Sequence, residues 1–293
     1  MAPAILVIGA TGSQYYTKPN ISEFLKEESS GSPFAGHRIL ALTRSAQGAA
    51  AQQLATLPGV EVVEFPWADV TEAWLRAHAV ARVFVASAVA LAVDPAQFST
   101  ESGFLVAARA AGVEYVVRIS TTAANVRPDC DAYYARTHCA IEAMLGSSAF
   151  EKLKWTSLAF FTAGLFVKKV REAGGRQDEL LRLIGNPDAP VGIIDADDIG
   201  LIAARLLVCE DPSAHHHVVN GPEYITGRQM LAMVEQQIGA PVRRSSTKMC
   251  PRDGAAVGGE ALASTTSKEI LEIAAPQSTP AASWVKVLKA LEM

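Results

Sequence analysis

The 293-residue chain has no surplus of cations: 26 Lys and Arg stand against 30 Asp and Glu, a formal net charge of −4. Affinity for phosphate backbones needs clustered cations that release counterions, and no basic stripe is present, so no nucleic-acid partner is expected. Long hydrophobic runs are missing too. The longest uncharged apolar stretch, Val83 to Val93, is 11 residues with Ser87 inside it, against roughly 20 for a bilayer-spanning helix; no membrane partner is expected. Cysteine is sparse. Cys130, Cys139, Cys209 and Cys250 form no Cys-x-x-Cys pair, which argues against a disulfide framework or a thiolate metal site and for free buried thiols. The apolar start Ala4 to Ile8 lacks a basic flank and a cleavage site, so it reads as a buried strand, and a cytoplasmic location is the expectation. No internal repeat is visible.

What is present is a core-forming alternation. Apolar residues make up 49% of the chain and charged ones 19%, which suits a compact protein. The runs Ile5–Ile8, Arg38–Leu42, Val60–Phe65, Arg82–Ala86 and Tyr115–Ile119 are apolar almost throughout, as strands of a parallel sheet covered on both faces are. Helical patterns over Thr71–His78 and Gln97–Ala111 separate them, the second closed by Gly112. Further strands are expected at Thr156–Phe160, Val191–Ile194 and His217–Asn220. Helices follow at Ala196–Leu207, behind the capping acids Asp195, Asp197 and Asp198, and after the capping box Thr226-x-x-Gln229. The fold expected is α/β, a Rossmann-type doubly wound parallel sheet. Residues 1–155 would bind a dinucleotide, and residues 156–293 would form a smaller mixed α/β substrate-binding part interleaved with the sheet. The run His215-His216-His217 does not suggest a metal, because neighbouring strand residues point to opposite faces.

Two places carry chemistry. Gly9-Ala10-Thr11-Gly12 follows the first strand at once, and glycine there lets the backbone turn tightly and approach a pyrophosphate held at a helix N-terminus. The second strand ends in Thr43-Arg44-Ser45, where a dinucleotide site for NAD would place an acid. A cation that can grip phosphate by two hydrogen bonds favours NADP instead. At the other end, strand Tyr115–Ile119 runs into Ser120-Thr121-Thr122, hydroxyls placed where such sheets gather their ligands. A helix over Asp131–Leu145 then puts Tyr134, His138 and Glu142 on one face.

Gly9-Ala10-Thr11-Gly12, Thr43-Arg44, Asp69 after the third strand, Val191–Ile199 and Gly221-Pro222 together resemble the NmrA-like branch of the atypical short-chain dehydrogenase/reductases, including oxidoreductases of fungal secondary metabolism. The resemblance covers most of the chain. It implies that Gly9, Thr11 and Gly12 contact the cofactor, that Asp69 lies by the adenine and that Ala86-Ser87 borders the nucleotide. Two positions depart from it. Tyr15 occupies the third glycine position, and 24 residues separate Gly12 from His37, which predicts an enlarged phosphate loop with its helix beginning near Lys18.

In short-chain dehydrogenases the corresponding catalytic pattern is Tyr-x-x-x-Lys; here it is Tyr134-x-x-x-His138. A histidine can bond the nicotinamide ribose as the lysine does, but much of its charge is gone near neutral pH. Tyr133 competes as proton donor if the register differs by one. The reading favoured is an NADPH-dependent reductase of a bulky apolar small molecule such as a quinone, ketone or imine, with Tyr134 as proton donor, His138 beside it, and Ser120 or Thr121 holding the substrate's polar atom. The missing lysine leaves open a non-catalytic NAD(P) sensor that binds a protein partner, and Tyr15 leaves open a cofactor-independent isomerase or cyclase.

Overall fold

A computed structural model describes residues 1–10, 33–86, 95–130, 133–159, 188, 190–212, 215–221 and 224–238. Seven strands form one parallel sheet: β1 (Ala4–Ile8), β2 (Arg38–Thr43), β3 (Val60–Glu64), β4 (Val80–Val85), β5 (Tyr115–Ile119), β6 (Lys154–Ala159) and β8 (His215–Val218). Their order across the sheet is β3-β2-β1-β4-β5-β6-β8. The chain therefore winds outward from β1 in one direction, then returns and winds in the other from β4. The strand order reverses between β1 and β4, the kind of switch point at which doubly wound sheets take ligands in the crevice beyond the carboxyl ends of their strands. A short antiparallel pair, β7 (Pro190–Gly192) with β9 (Tyr224–Thr226), lies apart from the main sheet.

Strand residues alternate between two cores because side chains point to opposite faces. On one face Ile5, Val7, Ile39, Phe84 and Val117 pack with helix α1 (Ala49–Ala55) and helix α5 (Ala196–Leu207). On the other, Leu6, Ile8, Leu40, Val83 and Val116 meet α2 (Glu72–Ala77), α3 (Pro95–Ala111) and α4 (Tyr133–Leu145). Burial of that kind contributes roughly 1.5–3 kcal/mol per large apolar side chain. Arg82 interrupts the pattern. It is 5% exposed, and its guanidinium donates to the carbonyls of Leu207 and Cys209, capping the carboxyl end of α5. Helix α6 (Gly227–Ile238) opens with the expected capping box: Thr226 N donates to Gln229 Oε1 at 2.7 Å and Gln229 N to Thr226 Oγ1 at 3.2 Å.

The doubly wound sheet is as the sequence predicts, with local corrections. The last main-sheet strand covers His215–Val218 rather than His217–Asn220, and the strand expected over Val191–Ile194 is Pro190–Gly192. Pairing with β6 and β9, which the local sequence does not reveal, sets the bounds of both strands. Helix α1 and strand β9 are additional elements that the sequence pattern does not predict. Of the cysteines expected to be buried, Cys130 is, whereas Cys139 and Cys209 are half-buried free thiols, and Cys250 lies outside the described residues. Among the described residues no helix is long and apolar enough to cross a membrane.

Candidate active site at the carboxyl edge of the sheet

Gly9 leaves β1 with φ +77°, and a Cβ added there would lie 2.3 Å from the carbonyl oxygen of Ala86. Ala86 N donates to Ile8 O at 3.2 Å, so the ends of β1 and β4 are drawn together at the point where the chain turns toward the crevice. Only glycine fits that approach. Thr11, Gly12, Tyr15, Lys18 and Ser87 lie outside the described residues.

Arg44 follows β2 and is exposed, with no hydrogen bond or ion pair among the described residues. The turn that presents it is built by Thr43, whose Oγ1 accepts from Ser45 N at 3.2 Å. Asp69 ends a single 3₁₀ turn after β3, is exposed, and has its backbone N–H bonded to Pro66 O. All three positions lie at carboxyl ends of neighbouring strands.

Two strand spacings from β1, about 10 Å across the sheet, β5 ends in three buried hydroxyls. Each meets a different fate. Ser120 Oγ donates to Glu142 Oε1 at 2.6 Å. Thr121 hydrogen-bonds the phenol of Tyr134. Thr122 Oγ1 is buried with no hydrogen-bond partner among the described residues. Burial pushes the Tyr134 phenol above its ordinary pKa, and hydrogen bonding by Thr121 and Asn125 only partly offsets this. The phenol therefore stays protonated and is a proton donor in form, not a base.

Tyr134 and His138 meet edge to face, ring centroids 6.5 Å apart and planes at 83°. His138 is 3% exposed. Behind it sits a group that sequence reasoning missed. Arg118, fully buried on β5, spreads its guanidinium over four partners: Nε to Glu101 Oε1 at 2.8 Å, Nη1 to Glu142 Oε1 at 3.2 Å and to Ser157 Oγ at 3.1 Å, and Nη2 to His138 Nδ1 at 2.7 Å. Glu142 also takes His216 Nδ1 on its second oxygen at 3.0 Å. A buried guanidinium is tolerated only when paired and hydrogen-bonded, and here it is both. Burial and the adjacent Arg118 charge lower the His138 pKa to about 4, outweighing Glu101 and Glu142. Glu142 is brought down to about 2: burial opposes its charge, but hydrogen bonds from His216 and Ser120 and the Arg118 charge prevail. The one signal that could have revealed this cluster was an arginine inside the apolar strand Tyr115-Val116-Val117-Arg118-Ile119.

The structure thus brings Tyr134, His138, Ser120 and Thr121 into one cluster, and places Gly9, Arg44 and Asp69 along the same edge of the sheet. A family model described as the NmrA-like family matches residues 1–249. A curated relative, (4-alkanoyl-5-oxo-2,5-dihydrofuran-3-yl)methyl phosphate reductase of Streptomyces griseus, is 28% identical over 189 residues, 63% of this chain and 61% of the relative. The aligned part thus spans about three fifths of that protein. Solved structures with the same fold include Citrobacter sp. triphenylmethane reductase complexed with NADP(H), at TM-score 0.64 and 17% identity over 98% of this chain and 100% of that one. The NADPH-dependent quinone oxidoreductase of Escherichia coli complexed with NADPH gives 0.66 and 19% over 99% and 100%. The UDP-Glc/GlcNAc 4-epimerase of Campylobacter jejuni gives 0.68 and 16% over 99% and 100%. With the glycine turn at Gly9, the doubly wound sheet and the family match all in agreement, the chain belongs to the NmrA-like family.

Proposed function

We propose that the protein is an NADPH-dependent reductase of a bulky, largely apolar small molecule, a quinone, ketone or imine of the kind handled in secondary metabolism. The observation that carries this reading is the placement of a protonated tyrosine, Tyr134, with a buried hydroxyl, Thr122, that has no hydrogen-bond partner among the described residues, two strands from the Gly9 turn on one edge of the sheet. That spacing suits a dinucleotide lying across the crevice. The reductase and oxidoreductase activities of the Streptomyces, Citrobacter and Escherichia relatives support it.

The residues present fit the cofactor. The Gly9 turn, which a Cβ would fill, would admit a pyrophosphate, and the NmrA-like resemblance would assign Thr11, Gly12 and Ser87 to the same cofactor. Arg44, exposed and uncommitted among the described residues, would take the 2′-phosphate that distinguishes NADP, and Asp69 would lie by the adenine. NADPH, when bound, supplies a hydride to an electron-poor carbon. The chain's own residues do the rest. Tyr134 donates a proton to the reduced substrate's oxygen or nitrogen. Thr122 orients that atom in preference to Ser120, whose proton is committed to Glu142. An iminium substrate would need no proton donor at all. In this reading the partner is a small molecule, with neither nucleic acid nor membrane involved, and the location is cytoplasmic.

One observation favours a second reading. No cation stands on the Tyr134 helix face at the position a lysine would hold, and the phenol's pKa is raised rather than lowered, which suits an NAD(P)-binding sensor that engages a protein partner. Stopped-flow loss of NADPH absorbance against a panel of quinones, ketones and imines separates the two. Turnover supports the reductase; binding without oxidation by any acceptor overturns it.

A further inference from the structure

An arginine carries only donors: its five N–H groups cannot accept a hydrogen bond. Arg118 Nη2 lies 2.7 Å from His138 Nδ1, both buried. The bond therefore runs from arginine to imidazole, and Nδ1 must present its lone pair. A neutral imidazole with Nδ1 unprotonated has its proton on Nε2, on the far side of the ring from Arg118. Protonating Nδ1 would place two N–H groups face to face at that distance.

We infer that Arg118 is a positioning residue that locks His138 as a neutral Nε2–H donor, so that the residue at the lysine position of the Tyr-x-x-x-Lys pattern is a fixed hydrogen-bond donor and the fixed positive charge of the site sits one layer deeper, in the sheet.

The surroundings hold this arrangement from every side. Glu101 of α3 takes Arg118 Nε, and Ser157 of β6 and Glu142 of α4 take Nη1, which leaves Nη2 aimed at the imidazole. Tyr134 of α4 stands edge-on to the ring, and among the described residues His216 of β8 meets the cluster through Glu142. The guanidinium is planar, so two of its nitrogens held in this way fix the direction in which the third points; lysine could supply the charge but not the fork. That distinction separates a positioning role from simple neutralisation of two buried carboxylates.

The inference deepens the proposed reductase reading in the role it gives His138, but its test does not depend on turnover. The full-length protein would be labelled with ¹⁵N-histidine, and long-range ¹H–¹⁵N spectra recorded from pH 8 to pH 5, with His138 assigned by comparison with His138→Gln. The expected result is the Nε2–H tautomer as the neutral form throughout, with the ring no more than about a tenth imidazolium at pH 5. An Nδ1–H tautomer, or half-protonation near the ordinary histidine value, overturns the proposal. Arg118→Lys is expected to release the ring, giving a mixed tautomer and a midpoint at least one pH unit higher. A folded Arg118→Lys protein with an unchanged His138 spectrum would show that Arg118 only neutralises charge, and would overturn it as well. If that variant does not fold, the wild-type spectrum decides. Failure of NADPH oxidation with the tautomer intact would remove the reductase reading and leave the lock standing.

Discussion

Arg118 Nη2 and His138 Nδ1 lie 2.7 Å apart inside a cluster closed by Glu101 and Glu142. The relationship joins a strand of the sheet to the helix that carries Tyr134, so the His138 end of the candidate site and the core of the fold share one hydrogen-bond network. A network of this kind is stable when complete and costly when broken at one member.

Removing the acceptor should therefore be felt in stability. His138→Leu leaves a buried guanidinium N–H without a partner and is expected to cost about 1–3 kcal/mol. His138→Gln, whose amide oxygen can still accept, should cost less. Urea denaturation of the two variants checks the order; equal midpoints would contradict the bond.

The same pair sets a pH dependence. His138 is held near pKa about 4 in the fold, below its ordinary 6.5, so between those values the unfolded chain binds a proton that the folded chain does not. Stability should fall as pH drops from 6.5 toward 4, by up to about 1.4 kcal/mol per pH unit. Glu142, lowered from 4.5 to about 2, adds a second loss as pH falls through that lower window. Denaturation midpoints at pH 7, 5.5 and 4.5 measure the slope, and His138→Gln should flatten its upper part.

The close approach at Gly9 predicts a different kind of damage. Gly9→Ala forces a Cβ to 2.3 Å from Ala86 O at φ +77°. Gly59 shares that φ but has nothing within 4 Å of an added Cβ. Gly59→Ala should thus cost only the left-handed penalty of about 1–2 kcal/mol, with Gly9→Ala costing more and weakening nucleotide binding besides. Thermal melts and NADPH titration of both variants test this.

Much of this was legible in the sequence, for physical reasons that differ by element. Strands β1, β2 and β5 read clearly because burial on both faces makes them continuous apolar runs. The turn at Gly9 read because a glycine directly after such a strand has few other uses. Helix α1 did not, since only Ala51 and Leu54 of its seven residues are buried, too few to show a helical period. The Arg118 cluster was hidden for another reason. Its partners Glu101 and Ser157 lie 17 and 39 residues away in the chain and converge only once β5 packs between α3 and β6. Glu142 was visible on the Tyr134 face, but its role as acceptor for Ser120, Arg118 and His216 was not.

In the proposed reading Arg44 carries the cofactor choice, as the residue that would hold the 2′-phosphate. Being exposed and uncommitted among the described residues, its loss should leave stability within about 0.5 kcal/mol. Arg44→Ala is expected to weaken NADPH roughly ten- to a hundredfold, the worth of a charge-assisted hydrogen bond of about 1.5–3 kcal/mol, with NADH little changed. Calorimetric titration of both nucleotides reads the difference directly.

The most direct test of the account is anaerobic oxidation of NADPH by an apolar quinone or imine, followed for the native protein and Tyr134→Phe at equal concentrations. The account predicts turnover with at least one acceptor, and for a quinone or ketone a loss of about a hundredfold or more without the phenol. NADPH that binds and is never oxidised by any acceptor would contradict it.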